Sequence, residues 1–323
     1  TAVVLLFMVK DPFATSTTIM LLLAMASFAL CYPRGLVVLA LVFFAVGKGF
    51  YKQEDVILSE RNFFGVLRVV ETTTQDSAGN DYRLRKFMHG TTLHGFQVVE
   101  PAKLSTIPTS YYYSPTSPLN EALVLLAPKD VAVVGLGAGT LACHSAPDRR
   151  FSFFEIDPAV IRIAQNNFTF LSECPGAAPH RLIEGDGRLA LAAEQTALYD
   201  LIILDAFSSD TIPPHLITEE AVRIYLSRLN AGGVIVFNIS SRYFNMMPVL
   251  TAAADAAGLT TIYKKNTPGK AHAPMAQASS WLLMGPNATA LEPLIQQRGW
   301  MRGEAGGALP WHDNYSNILG VLE

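Results

Sequence analysis

Residues 131–139, VAVVGLGAG, constrain this chain more than any other stretch. Val131, Val133 and Val134 are β-branched and suit a buried strand. The strand runs into Gly135-Leu136-Gly137-Ala138-Gly139, and Thr140-Leu141-Ala142-Cys143 begins a helix. That order places backbone N–H groups at a helix N-terminus, where an anion or a nucleoside tail approaches without meeting a Cβ. A plain structural turn has the same glycines; the strands downstream of it argue for a site. FSFFEID (151–157) is a second apolar strand, ending in Glu155 and Asp157, 16 and 18 residues after Gly139. An acid at the tip of the second strand is where a βαβ nucleotide fold holds ribose hydroxyls. HRLIEGDGR (180–188) supplies a third strand ending in Asp186 and Gly187, and YDLIILDAF (199–207) a fourth with Asp205. These strand ends line one edge of one sheet, the crevice in which open α/β sheets bind ligands. The expected fold is α/β, a Rossmann-like doubly wound sheet over 109–323.

Such a sheet does not account for the composition. Hydrophobic residues make up 50% and charged residues 16%, with a mean hydropathy of +0.28, which predicts a membrane portion. Residues 1–9 (TAVVLLFMV) begin without Met and read as the tail of a longer hydrophobic span, cut short or cleaved. Residues 19–31 and 36–46 are apolar stretches around Tyr32-Pro33-Arg34-Gly35, each shorter than the ~20 residues of a spanning helix. Counted with interfacial ends, as 16–32 and 34–50, they make a thin helical hairpin; a pair of buried core helices is the other reading. Lys10, Lys48 and Lys52 flank the hairpin against Arg34 at its turn, which places both ends in the cytoplasm. Residues 1–52 are therefore expected to be membrane helices in contact with lipid, in an inner or plasma membrane, with the remainder facing the cytoplasm. A net charge of −3 without a basic run speaks against nucleic acid. Cys31, Cys143 and Cys174 show neither metal spacing nor a pairing pattern and read as space-filling residues of a reducing compartment.

Residues 63–71 and 82–89 are strand-like around the polar turn TTTQDSAGN, predicting a β-hairpin in a small domain at 60–108. The run HGTTLHGFQ (89–97) carries His89, His94 and Gln97 without a Cys or carboxylate at a metal-ligand spacing; it reads as a lip over the crevice. Tyr111, Tyr112 and Tyr113 either pack or wall a cationic or adenine-bearing ligand. DAFSSDTIPPHLIT (205–218) is a turn-rich loop at the C-terminal end of a strand, the usual place for catalytic residues. Asp205 ends the most apolar strand and is the leading candidate. Asp210 is the second, with the alternative that it or Ser209 caps a helix near Pro213. Helices at 217–229 and 246–257 flank a fifth strand, AGGVIVFNIS, and the tail WHDNY (311–315), with Asp313, is placed to fold back over the site.

The hairpin 63–89, HGTTLHGFQ, GLGAG, FFEID, EGDG, DAFSSDTIPPHLIT and the tail WHDNYSN together resemble the polyamine aminopropyltransferase (spermidine synthase) family over about residues 60–264. Within it they look like a branch in which hydrophobic helices precede the domain. The resemblance implies a class I S-adenosylmethionine-dependent methyltransferase type of fold. It implies that Gly135, Gly137 and Gly139 pass under the aminopropyl and sulfonium end of the co-substrate, decarboxylated S-adenosylmethionine or S-adenosylmethionine itself. Glu155 would bind the ribose hydroxyls and Asp186 the adenine amine, with Gly187 and Gln97 in the same nucleoside site. Asp205 would serve the attacking amine of a small di- or polyamine, with Tyr112, Tyr113, His94 and Asp313 around the acceptor. No metal is expected, because the sulfonium carries its own leaving group. Three departures stand out. The family's GGGDG loop has Ala138 where its Asp meets the aminopropyl amine; its DSSDP loop has acids three apart, against five for Asp205 and Asp210; and its acidic D-E-F segment is reduced to Glu121 in SPTSPLNEAL.

Three readings stay open: an aminopropyltransferase; a methyltransferase acting on a small or lipid-soluble acceptor; or a non-catalytic membrane subunit of a larger complex that kept the fold. A homo-oligomer or a complex subunit is left open.

Overall fold

A computed structural model describes residues 54–76, 79–104, 113–174, 180–196, 198–207, 212–267, 278–297 and 299–322. Residues 54–323 form one compact unit, built from two sheets. The first is antiparallel and four-stranded, in the order β1 (Asp55–Asn62), β2 (Gly65–Gln75), β3 (Asp81–His89), β4 (Thr92–Glu100). The expected hairpin is its β2–β3 pair; HGTTLHGFQ is the turn into β4 and the strand itself.

Helix α1 (Pro118–Leu125), capped by the Ser117 side chain, leads into the second sheet. That sheet contains β5 (Asp130–Val134), β6 (Arg150–Glu155), β7 (Arg181–Glu184), β8 (Tyr199–Leu204), β9 (Leu229–Asn238), β10 (Thr260–Asn266), β11 (Ser279–Gly285) and β12 (Met301–Arg302). Its order is β7-β6-β5-β8-β9-β11-β10-β12, parallel from β7 to β9 and antiparallel beyond. Leu201 to Leu204 of β8 are fully buried, as a central parallel strand covered on both faces must be. After β7 the chain crosses back to the other side of β5. The crevice at the C-terminal ends of β5, β6 and β8 is therefore the topological switch point.

The doubly wound sheet and the N-terminal antiparallel sheet agree with the expected fold; its transmembrane element is overturned. Among the described residues no helix is long and apolar enough to cross a membrane, so the membrane placement and the lipid contact drawn from it lose their basis. The two apolar stretches of residues 1–52, like Tyr112 and Asp210, lie outside the described residues.

The helix expected from Thr140 is only a five-residue 3₁₀ turn, Thr140–His144. Ser145 turns to an extended conformation and bonds back to the Ala142 carbonyl through its Oγ. Pro147 comes two residues later, which disfavours helix at the residue before it. Support for the glycine loop comes instead from α2 (Pro158–Asn167) and the short α3 (Phe170–Glu173), whose Leu171 lies against Gly139. The cysteine expectation also needs correcting. Cys143 of the 3₁₀ turn and Cys174 at the end of α3 form a disulfide, with Cα atoms 5.0 Å apart.

The two sheets share one core, in which Leu67, Val69 and Phe87 pack with Val131, Val133, Phe151 and Phe153. Each such buried side chain contributes about 1.5–3 kcal/mol. Polar ties register the sheets: Asn62 Nδ2 donates to Asp157 (2.6 Å), Arg85 donates to the Asn167 carbonyl (2.8 Å), and Gln97 exchanges two bonds with Thr169.

Candidate active site

The crevice opens into a cavity of about 880 Å³ between β4, the glycine loop and the ends of β6, β8 and β9. Gly135, Gly137, Glu155, Asp186, Gly187, Asp205, Tyr113 and His94 all line it, so most of the sequence-predicted site is brought together.

Gly135 and Gly137 are dictated by protein contacts as much as by any ligand. Gly135 has φ +100, and a Cβ there would lie 2.5 Å from the Asp205 carbonyl oxygen; Gly137 has φ +54, and a Cβ there would lie 2.6 Å from the His94 carbonyl oxygen. The glycine loop is thus wedged between the start of the Asp205 loop and β4. Ala138 is buried, and its Cβ lies 2.9 Å from where a Cβ on Gly95 would be. A larger acidic residue at 138 would have to displace β4.

Four carboxylates line the cavity, each with a donor on both oxygens. Glu155 accepts from the backbone N–H of Leu136 (3.0 Å) and of Asp157 (3.0 Å). Burial pushes its pKa up, opposed by those two donors. Asp157 caps α2 at Ala159 and holds Asn62. Asp186 caps α4 (Gly187–Ala193) through Leu189 N–H at 2.9 Å, and its other oxygen pairs with His215 Nε2 at 3.0 Å.

Asp205 continues the sheet into the crevice, its N–H bonded to the Val134 carbonyl. Tyr113 donates its hydroxyl to one oxygen at 2.5 Å, and Asn238 Nδ2 donates to the other at 2.8 Å. Desolvation pushes the Asp205 pKa up to about 6, while both hydrogen bonds hold it down. Such a carboxylate is ionised at neutral pH and basic enough to take a proton there.

Of the two residues that hold Asp205, Tyr113 was placed at the site by the sequence and Asn238 was missed. Asn238 ends β9, the strand next to β8, and its own oxygen accepts from Ser240 N–H and Oγ, which fixes the amide's orientation. The signal available was a polar residue closing the apolar run VIVF beside the strand of Asp205. Tyr113 was expected to face the acceptor; its hydroxyl is on Asp205 and its carbonyl lies 3.2 Å from His144 Nε2.

Three predicted residues are not among the cavity's lining residues. Gln97 is buried against Thr169. Gly139 packs on Leu171. Asp313 forms a two-pronged ion pair with Arg188 (2.6 and 2.7 Å) and accepts from Thr218, which holds its pKa down to about 2; it ties the tail to α4 instead of covering the site. Glu121 is likewise spent on Lys264 at 2.6 Å.

No family model matches the chain. Among curated proteins it is 34% identical over 119 residues to the polyamine aminopropyltransferase of Vibrio vulnificus, spanning 35% of this chain and 38% of that protein. The resemblance is to the polyamine aminopropyltransferases. A second match is the eEF1A lysine and N-terminal methyltransferase of Xenopus laevis, 30% identical over 135 residues, 38% of this chain and 19% of that protein. The match thus spans well under half the length of either relative. Among solved structures, a probable spermidine synthase from Corynebacterium glutamicum superposes with a TM-score of 0.52 at 16% identity, covering 82% of this chain and 98% of that one. At that identity the likeness speaks for the fold, and the fold agrees with the aminopropyltransferase resemblance.

Proposed function

We propose that the chain is a spermidine synthase-like transferase that moves an aminopropyl group from decarboxylated S-adenosylmethionine to a di- or polyamine. The observation that carries the reading is Asp205: a carboxylate with a pKa near neutrality, held from both sides at the switch point of the sheet, facing a cavity with room for a nucleoside and an amine. The similarity to aminopropyltransferases over 119 residues supports the same reading.

The donor's sulfonium supplies an activated carbon and its own leaving group. An alkylammonium acceptor, with a free pKa near that of lysine, cannot attack until it loses a proton. Asp205 orients the amine and takes that proton as the new C–N bond forms and the C–S bond breaks. The glycine loop and β4 close the cavity around the reacting atoms, and alignment within it supplies much of the rate. Glu155, at the tip of the second strand, holds the ribose hydroxyls, and Asp186 the adenine end.

Incubation with decarboxylated S-adenosylmethionine and a diamine should release 5′-methylthioadenosine and an aminopropylated amine. Methyl transfer is the second reading, favoured by Ala138 and by the match to a protein methyltransferase; release of S-adenosylhomocysteine from S-adenosylmethionine would select it. Glu155→Ala should weaken nucleoside binding about 10- to 100-fold, the loss of hydrogen bonds to a charged group. Calorimetry on the folded variant checks this, and unchanged affinity would remove Glu155 from the nucleoside site.

A further inference from the structure

Tyr113 donates one of the two hydrogen bonds on Asp205, yet it belongs to no helix or strand and sits in the turn before α1. A bond of 2.5 Å tolerates little displacement of its donor, so the backbone that carries Tyr113 has to be held as well. His144 Nε2 lies 3.2 Å from the Tyr113 carbonyl oxygen. A carbonyl can only accept, so Nε2 carries the imidazole proton and donates it.

His144 closes the 3₁₀ turn that follows the glycine loop, and three contacts fix that turn. The neighbouring Cys143 is linked to Cys174 of α3. Ser145 Oγ bonds back to the Ala142 carbonyl at 2.6 Å. Arg149 donates through Nη1 to the His144 carbonyl (3.2 Å) and through Nη2 to the Leu123 carbonyl of α1 (2.8 Å). The turn and the helix after Tyr113 are thus tied to each other. His144 is not among the residues that line the cavity, whereas Tyr113 is. Burial pulls the His144 pKa down to about 4, opposed by the bond to Tyr113 and assisted by the nearby Arg149 cation. The imidazole therefore stays neutral where Asp205, with its pKa of about 6, titrates. What acts on Asp205 besides burial is a hydroxyl from the turn before α1 and an amide from β9, Tyr113 and Asn238.

We infer that His144 is a positioning residue for Asp205: by holding the Tyr113 carbonyl it keeps the Tyr113 hydroxyl on the carboxylate. The inference rests on the proposed transfer only for the role of Asp205 as base, since the contacts themselves involve no ligand. Without the His144 donor, Tyr113 loses its anchor and its hydroxyl leaves Asp205. The Asp205 pKa then rises, and the residue stays protonated where it should accept a proton. The loss is confined to the acid end of the pH range.

The test reads the ionisation of Asp205 directly, by carboxyl ¹³C NMR titration of the full chain, the signal being assigned by its absence in Asp205→Asn. His144→Leu should raise the Asp205 pKa by about one unit, the scale of a hydrogen bond to a charged group, as should Tyr113→Phe. His144→Gln, whose amide N–H reaches the Nε2 position, should restore the unmodified value. In a Tyr113→Phe background, His144→Leu should add nothing. With decarboxylated S-adenosylmethionine and a diamine, such a shift lowers kcat/KM of His144→Leu about 5-fold near pH 6 and leaves it almost unchanged near pH 8. If the Leu variant does not fold, His144→Phe carries the comparison. An unmoved Asp205 titration overturns the inference, even if activity falls uniformly with pH. So does a further rise in the Tyr113→Phe background, or a Gln variant that behaves like Leu. If the titration responds as expected but the unmodified chain aminopropylates no amine, the proposed transfer fails and His144 still positions Asp205.

Discussion

Asp205→Asn is expected to lower turnover by about 10²–10⁴-fold, the usual contribution of a positioned general base, with little change in nucleoside affinity. The amide keeps the size of the carboxylate but has one acceptor where Tyr113 and Asn238 supply two donors. One of those donors is then left facing an N–H, a cost of about 1–3 kcal/mol, so stability must be measured alongside rate. The pH profile separates the two effects. Asp205 acts as a base only when ionised, so kcat/KM of the unmodified chain should fall as pH drops through about 6. In Tyr113→Phe one of the bonds that hold this pKa down is gone, and the acid limb should move to higher pH. In Asp205→Asn the limb disappears and part of the rate returns at alkaline pH, where free amine accumulates toward its pKa of about 10. Full turnover in Asp205→Asn with loss in Asp210→Asn would transfer the role to Asp210. Full turnover in both would end the amine-transfer reading.

The parts of this site that were legible in the sequence are those that a single strand end carries. Glu155 and Asp205 each close an apolar run, as a buried parallel strand must be apolar until it leaves the sheet, and Asp186 follows the short edge strand β7 in the turn EGDG. The contacts that hold them were not legible, because the partners come from elsewhere in the chain. Tyr113 lies 92 residues from Asp205 and Asn238 lies 33 away, and only the pairing of β9 with β8 brings Asn238 alongside. Asp313 was read as a site residue because the tail is polar and aromatic, yet Arg188, 125 residues earlier, claims both its oxygens. HGTTLHGFQ was read as a lip over the crevice because its histidines lack a metal partner at ligand spacing, and its residues do line the cavity, though as part of a strand that the sequence did not show. Its strand packs on the glycine loop through Gly95 and His94, and four consecutive residues from Gly95 to Val98 are buried. A strand buried on both faces loses the period of two that would betray it. The Cys143–Cys174 link was invisible for the same reason as the partners of Asp205, since it depends on the 3₁₀ turn and α3 meeting.

Gly135→Ala should be severely damaging for a single added methyl. At φ +100 an alanine is strained by about 1–3 kcal/mol. Its Cβ would stand 2.5 Å from the Asp205 carbonyl oxygen and 2.9 Å from the carbonyl carbon. Those are backbone atoms that cannot rotate away, and forcing extra volume into a packed site costs a further ~1–3 kcal/mol. Gly135 is also bonded to β6 through the Phe154 carbonyl at 2.8 Å, so the loop cannot retreat without breaking that bond. The strain therefore falls on Asp205 itself, and the folded variant should lose turnover along with stability. Gly232→Ala is the control. It too has a positive φ, +83, but nothing lies within 4 Å of its would-be Cβ, so it should show the conformational cost alone and keep its activity. Urea unfolding of the two variants, with turnover measured on the folded fraction, isolates the contact. Equal destabilisation and equal activity would mean that the glycine loop does not bear on Asp205, and that the base is set by Tyr113 and Asn238 alone.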